Sequence, residues 1–139
     1  MVVITVNSEA VVTVLTRVAG SLDRLVELVA QELAEAGARE AGPRSARLGE
    51  PWTVEGAGPA ERHVEAPEWW AHFLAGGTSP HGPADAAERL VFEVNGETVW
   101  AQYVEGIAAD HFDERAIAST RNKVDTILRQ VIAEAGVTL

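Results

Sequence analysis

Residues 90–101 read Leu90-Val91-Phe92-Glu93-Val94-Asn95-Gly96-Glu97-Thr98-Val99-Trp100-Ala101, and this run decides the fold class. Two stretches rich in β-branched and aromatic residues flank Asn-Gly, the pair that best accepts the positive φ angles of a two-residue hairpin turn. Such a turn pairs Val94 with Glu97, Phe92 with Val99 and Leu90 with Ala101. Leu90, Phe92, Val99 and Ala101 then share one face of the hairpin, and Val91 and Trp100 fall on the other.

Upstream, Val2–Val6 reads as a short first strand or an extended lead-in, and Asn7 or Ser8 can cap a helix. Val11, Val14, Leu15, Val18, Leu22, Leu25, Val26, Val29 and Leu33 then recur at three- and four-residue steps, one face of a long amphipathic helix. Gly20 and Ser21 interrupt the stripe as a candidate kink, and Gly37 is a candidate stop, with a pattern able to run to Glu40. Glycine and proline punctuate residues 42–59, leaving room only for a short strand around Trp52–Glu55. Glu61–Glu65 and Trp69–Ala75 read as strands on either side of Pro67, the second apolar on both faces. Downstream of the hairpin, Asp110 can cap a last helix with Asp113 and Glu114 in its first turn, where the helix dipole favours acids. Its apolar stripe is Phe112, Ala116, Val124, Ile127, Leu128, Val131 and Ala135, and Gly136 ends it. The expected fold is therefore α+β: a small antiparallel sheet with a β-hairpin, packed against a long N-terminal helix and a C-terminal helix. A single domain over 1–139 is expected, with flexible loops near 37–58 and 76–88.

With 139 residues, 47% of them apolar, the chain is long enough to bury its own core. It has no cysteine, which removes disulfides, thiolate metal sites and a cysteine nucleophile. No stretch approaches the roughly 18 apolar residues of a membrane span, and Met1–Val6 lacks the flanks of a signal peptide. No membrane contact is expected. A net charge of −10 repels phosphate backbones and argues against sequence-specific nucleic-acid binding.

Chemistry-bearing residues are sparse in pattern. His63, His72, His81 and His111 match no compact ligand motif, though His111 with Asp110 and Glu114 is one set that folding could bring around a metal. Ser79 in Gly76-Gly77-Thr78-Ser79-Pro80-His81 is not a nucleophile elbow, and the run lacks the lysine and helix of a phosphate loop, so it reads as a turn. No catalytic residue, metal or cofactor is assigned, and the chain reads as a non-enzyme. More informative are Trp69 and Trp70, since large aromatics concentrate at the cores of interfaces. With Trp52 and Trp100 added, at least one tryptophan is expected to meet a partner.

The run Glu68-Trp69-Trp70-Ala71-His72-Phe73-Leu74-Ala75-Gly76-Gly77-Thr78 resembles the aromatic-Ala-x-aromatic-x-x-x-Gly-Thr segment of the HK97 gp10-like family, tail-completion and head–tail joining proteins of tailed phages. The likeness continues through Leu90-Val91-Phe92, Val99-Trp100-Ala101 and the Phe112-to-Ala116 entry into the last helix. It departs after Val104, where Glu105-Gly106-Ile107 stands in place of a His-Pro-Gly common in the family. The resemblance implies a structural virion protein of the neck or tail, assembled in the host cytoplasm. It implies a cyclic homo-oligomer, often of six copies, between head-completion or connector proteins and tail-terminator or tail-tube proteins, and leaves open whether DNA passes through the ring. Trp69, Trp70, Phe73, Leu74, Gly77, Thr78, His81 and Trp100 are the candidate assembly interface. Two alternatives come from other classes: an acidic inhibitor-like module with a basic protein partner, and a metal-dependent hydrolase built on His111, Asp110 and Glu114.

Overall fold

A computed structural model describes residue 3 and residues 8–82, 90–103 and 105–136. The strand expected at Val2–Val6 (apart from Val3), the cap at Asn7 and residues 83–88 of the expected 76–88 loop lie outside the described residues. The element order is α1 (Ser8–Ala41), a 3-10 turn (Ala46–Gly49), β1 (Thr53–Gly58), β2 (Glu61–Glu65), α2 (Ala71–Gly76), β3 (Leu90–Val94), β4 (Glu97–Ala101) and α3 (Phe112–Glu134). The class is α+β, with a long N-terminal helix, a C-terminal helix and small antiparallel sheet. Among the described residues the strands form two separate hairpins, β1–β2 and β3–β4, where a single central sheet was expected. The chain divides into two compact units, one from residues 1–67 and 113–139, the other from 68–112.

In the first unit α1 and α3 run antiparallel. Arg24 pairs with Glu134, Glu32 with Lys123, Arg39 with the Ser119 hydroxyl and Glu40 with Arg115, so residue numbers rise along one helix as they fall along the other. These pairs are largely exposed and each contributes at most about 1 kcal/mol, so they fix register more than stability. The buried positions are mostly small: Ala30, Ala34, Ala36 and Ala41 on α1, Ala116, Thr120 and Val131 on α3. Thr120 returns its hydroxyl hydrogen to the Ala116 carbonyl at 2.9 Å, which makes its burial tolerable.

The β1–β2 hairpin packs on α1 through two anchors. Trp52 lays its ring over Gly37 and donates Nε1–H to the Leu48 carbonyl at 2.9 Å; Leu48 itself is fully buried. Gly37 is thus not a stop. The helix continues to Ala41, and it also runs unbroken through Gly20 and Ser21. The second anchor is Arg62 of β2, whose guanidinium bridges Asp23, at 3.1 Å, and Glu27, one helical turn further along α1. The Ala60 amide, at the hairpin turn, also donates to Asp23 at 3.1 Å. The Ala60 amide first, then Arg62, hold the Asp23 carboxyl below its ordinary range; Arg62, then Gln31, do the same for Glu27.

The β3–β4 hairpin has the register read from the sequence, with Val94 opposite Glu97, Phe92 opposite Val99 and Leu90 opposite Ala101. Asn95 and Gly96 carry φ of 52° and 82°, as the tight turn requires. The strand expected at Trp69–Ala75 is instead the short helix α2. That run is apolar on every face, so no two-residue alternation favours a strand. Ala71–Gly76 has no β-branched residue, whereas Ala71 and Ala75, four apart, are both buried as a helical face requires.

Two expectations follow. A Cβ on Gly37 would sit 2.6 Å from the Trp52 ring, whereas one on Gly20 would meet nothing within 4 Å. Chemical denaturation should show Gly20→Ala stabilising by about 0.5–1 kcal/mol from helix propensity. Gly37→Ala should destabilise by about 1–3 kcal/mol, because overpacking against the indole outweighs the same propensity gain. Depressed carboxylates stabilise the fold at pH above their unfolded values, about 3.9 for Asp and 4.3 for Glu, and lose that contribution as pH falls through the folded ones. The stability gap between the wild type and Arg62→Gln should accordingly be constant above about pH 5 and shrink below about pH 4; a gap that persists unchanged in acid would contradict the anchor.

Candidate functional site

The second unit carries the residues singled out from the sequence. α2 presents Trp69, just ahead of it, and Phe73 one turn on, their rings in edge-to-face contact with centroids 6.0 Å apart. The His72 ring lies tilted against Phe73 with centroids 3.9 Å apart, and its Nδ1 is 2.7 Å from the Trp69 carbonyl oxygen. Trp69 is 77% exposed despite these contacts. Trp70 and Leu74 are half-buried on the inner side of the same turn. Trp69 and Trp70 are neighbours in sequence, and the helix turns them apart.

On β3–β4, Val91 and Trp100 are direct cross-strand partners, and both are exposed, Trp100 at 62%. Among the described residues this sheet has only two strands, so each also offers an outward edge. Tyr103, just past β4, and Ile107 add exposed apolar surface. Neither was singled out from the sequence. Their only local signal is that an aromatic and an isoleucine stand in a glycine-interrupted stretch too short to bury them.

Gly77 and Thr78 have a different place. The Thr78 amide donates to the Ile107 carbonyl at 2.8 Å, and the Ile107 amide donates back to the Thr78 carbonyl at 3.1 Å and its hydroxyl at 3.0 Å. This clasp demands close approach of two backbones. Gly77, at φ 73°, lies where a Cβ would be 2.7 Å from the Ile107 carbonyl oxygen, and a Cβ on Gly106 would be 2.1 Å from that of Thr78. The Asp110 and His111 amides continue the seam by donating to the Leu74 and Ala75 carbonyls at 2.9 and 3.1 Å. Gly77 and Thr78, both half-buried, therefore hold the unit together, while His81 is exposed beyond the clasp. A shallow cleft lies beside it, lined by Thr78, Pro80, Tyr103, Gly106 and Ile107.

Among the described residues no three His, Asp or Glu side chains gather in a group that could hold a metal, so His111, Asp110 and Glu114 do not form the set considered above. None of the described helices is long and apolar enough to cross a membrane. In comparisons with protein-family models, curated proteins and solved structures, the chain matches none. The site is thus defined by its own geometry: a clasped unit of 45 residues, 68–112, that turns Trp69, Phe73, Val91, Trp100 and Tyr103 toward solvent.

Gly106→Ala should destabilise the protein by about 1–3 kcal/mol through forced separation of two backbones. Hydrogen exchange should quicken at the Thr78 and Ile107 amides, while Gly76→Ala, with nothing within 4 Å of its Cβ, should leave both unchanged.

Proposed function

We propose that this chain is a structural assembly subunit, a ring-forming neck protein of a tailed bacteriophage or phage-like particle that joins head connector to tail. The observation that carries the reading is the exposure of Trp69 and Trp100 on one 45-residue unit. Exposed tryptophan is expensive in water and is enriched at interface hot spots, so a chain that presents two of them is suited to a partner. A cyclic ring needs two different patches on each subunit, and α2 with its aromatics and the hairpin with its open edges are two such patches. The resemblance to the HK97 gp10-like family supplies the rest: copies of the chain itself, six in the usual arrangement, between connector and tail-terminator or tail-tube proteins in the virion neck. Trp69, Phe73 and Trp100 would make the contacts; Trp70, Leu74, Gly77 and Thr78 would hold those three in place; His81 would lie at the rim.

The acidic-module alternative makes a different forecast. A contact between a chain of net charge −10 and a basic partner weakens steeply with added salt, whereas an aromatic contact does not. Light scattering of the purified chain, alone and with connector or tail proteins, tests the proposal. Trp100→Ala should keep its circular dichroism and melting temperature while weakening assembly about thirtyfold, the effect of a 2 kcal/mol hot spot. A strict monomer that binds neither class of partner, or a Trp100→Ala variant that assembles undiminished, would refute it.

A further inference from the structure

A different surface, on the first unit, has its own unmet need. Arg24 of α1 lies opposite Glu134, the last residue of α3, so residues 8–21 of α1 extend about 20 Å beyond their partner helix. This overhang keeps the apolar stripe: Val12, Leu15, Val18 and Leu22 are all at least half exposed, Leu15 at 61%. Where the overhang meets the end of α3, Val18, Leu22 and Leu25 face Leu128, Val131 and Ile132 across an open apolar groove of about 370 Å³.

We propose that a second copy of the chain docks on this face, two α1–α3 pairs joining through their antiparallel α1 overhangs about a two-fold axis beside Val18. Charge selects the occupant. Residues 10–22 contain one charged side chain, Arg17, and no acid, and neither long helix has a longer acid-free run. Two copies of a −10 chain repel wherever their acids meet, so this is the stretch of helix on which they can approach. A basic partner finds no carboxylate here. Geometry selects the same occupant. With the helices antiparallel and the axis between Val18 and Ala19, each Leu15 meets the other copy's Leu22, and each Val12 lies beside the other's Leu25. The overhang of one copy thus fills the groove of the other, walled by Leu128 and Ile132. The contact uses one patch twice, so it closes on itself, and the two helical hairpins acquire the shared core that neither has alone.

This contact is independent of the ring reading, which rests on residues 68–112, and the test keeps the two apart. The chain has no cysteine, so single-cysteine variants report cleanly. Under mild oxidation of the full chain, Val18→Cys should form a covalent dimer at least about tenfold faster than Arg121→Cys, an exposed control on α3, because a bound pair holds its two thiols at high effective concentration. The same ratio should persist in the Trp100→Ala background, where mass by light scattering should be twice the 14.8 kDa of one chain. In that background Leu15→Glu should halve the mass with helical dichroism unchanged. Equal cross-linking rates for the two cysteines, an unchanged mass in a folded Leu15→Glu variant, or a monomeric Trp100→Ala protein at its highest soluble concentration would each overturn the inference. If Leu15→Glu does not fold, the cysteine pair decides.

Discussion

The contact of the Trp52 ring with Gly37 is the constraint on which the first unit depends. The interior of that unit is mostly alanine, and alanines pack helices closely but bury little apolar area each. Trp52 and Leu48 supply bulk that the helices lack. An indole can reach the α1 backbone only where a residue has no Cβ, and Gly37 provides that place about one turn before the helix ends. The helix bears the intrinsic cost of an internal glycine, about 1 kcal/mol, in exchange for a seat. With Trp52 seated, the hairpin lies close enough for Arg62 to span Asp23 and Glu27, and α1 is held along one side while α3 runs along another.

The second unit is held by a different kind of interaction. Its closure is made of main-chain hydrogen bonds between residues 74–78 and 107–111, together with the buried Phe112 side chain. Backbone closure leaves aromatic side chains free to point outward, and this is why a small unit can display Trp69, Trp100 and Tyr103 without losing its shape. Closure and the display of aromatic rings thus rest on separate atoms. In an all-apolar core of this size the same tryptophans would be needed inside.

How much was legible in the sequence varies with how local the deciding physics is. The β3–β4 register was readable because Asn95-Gly96 admits one turn geometry, and the turn then fixes every pair. The two long helices were readable from their periodic stripes. Gly37 was not, since a glycine that ends a helix and a glycine that receives a ring look the same locally; Trp52, fifteen residues away, makes the difference. Trp69–Ala75 is a helix where a strand was expected, because a run apolar on every face has no period to read. For the same reason the sequence could mark Trp69 and Trp70 together but not say which would be exposed. Gly77 and Gly106 acquire meaning only as a pair, and nothing in either neighbourhood names the other.

The Thr78–Ile107 clasp has a consequence for how the chain tolerates change. Residues 79–106 leave and return at one fastened point, so the span between them is a tethered cassette whose ends are already brought together. Lengthening a segment whose closure is fixed adds only a slowly growing, logarithmic entropy term. Additions at the Asn95-Gly96 tip, which is exposed and far along the cassette from its fastening, would leave the clasp and the α2 turn undisturbed. The hairpin tip is thereby a place suited to carry new sequence, whether acquired in evolution or grafted as a displayed epitope.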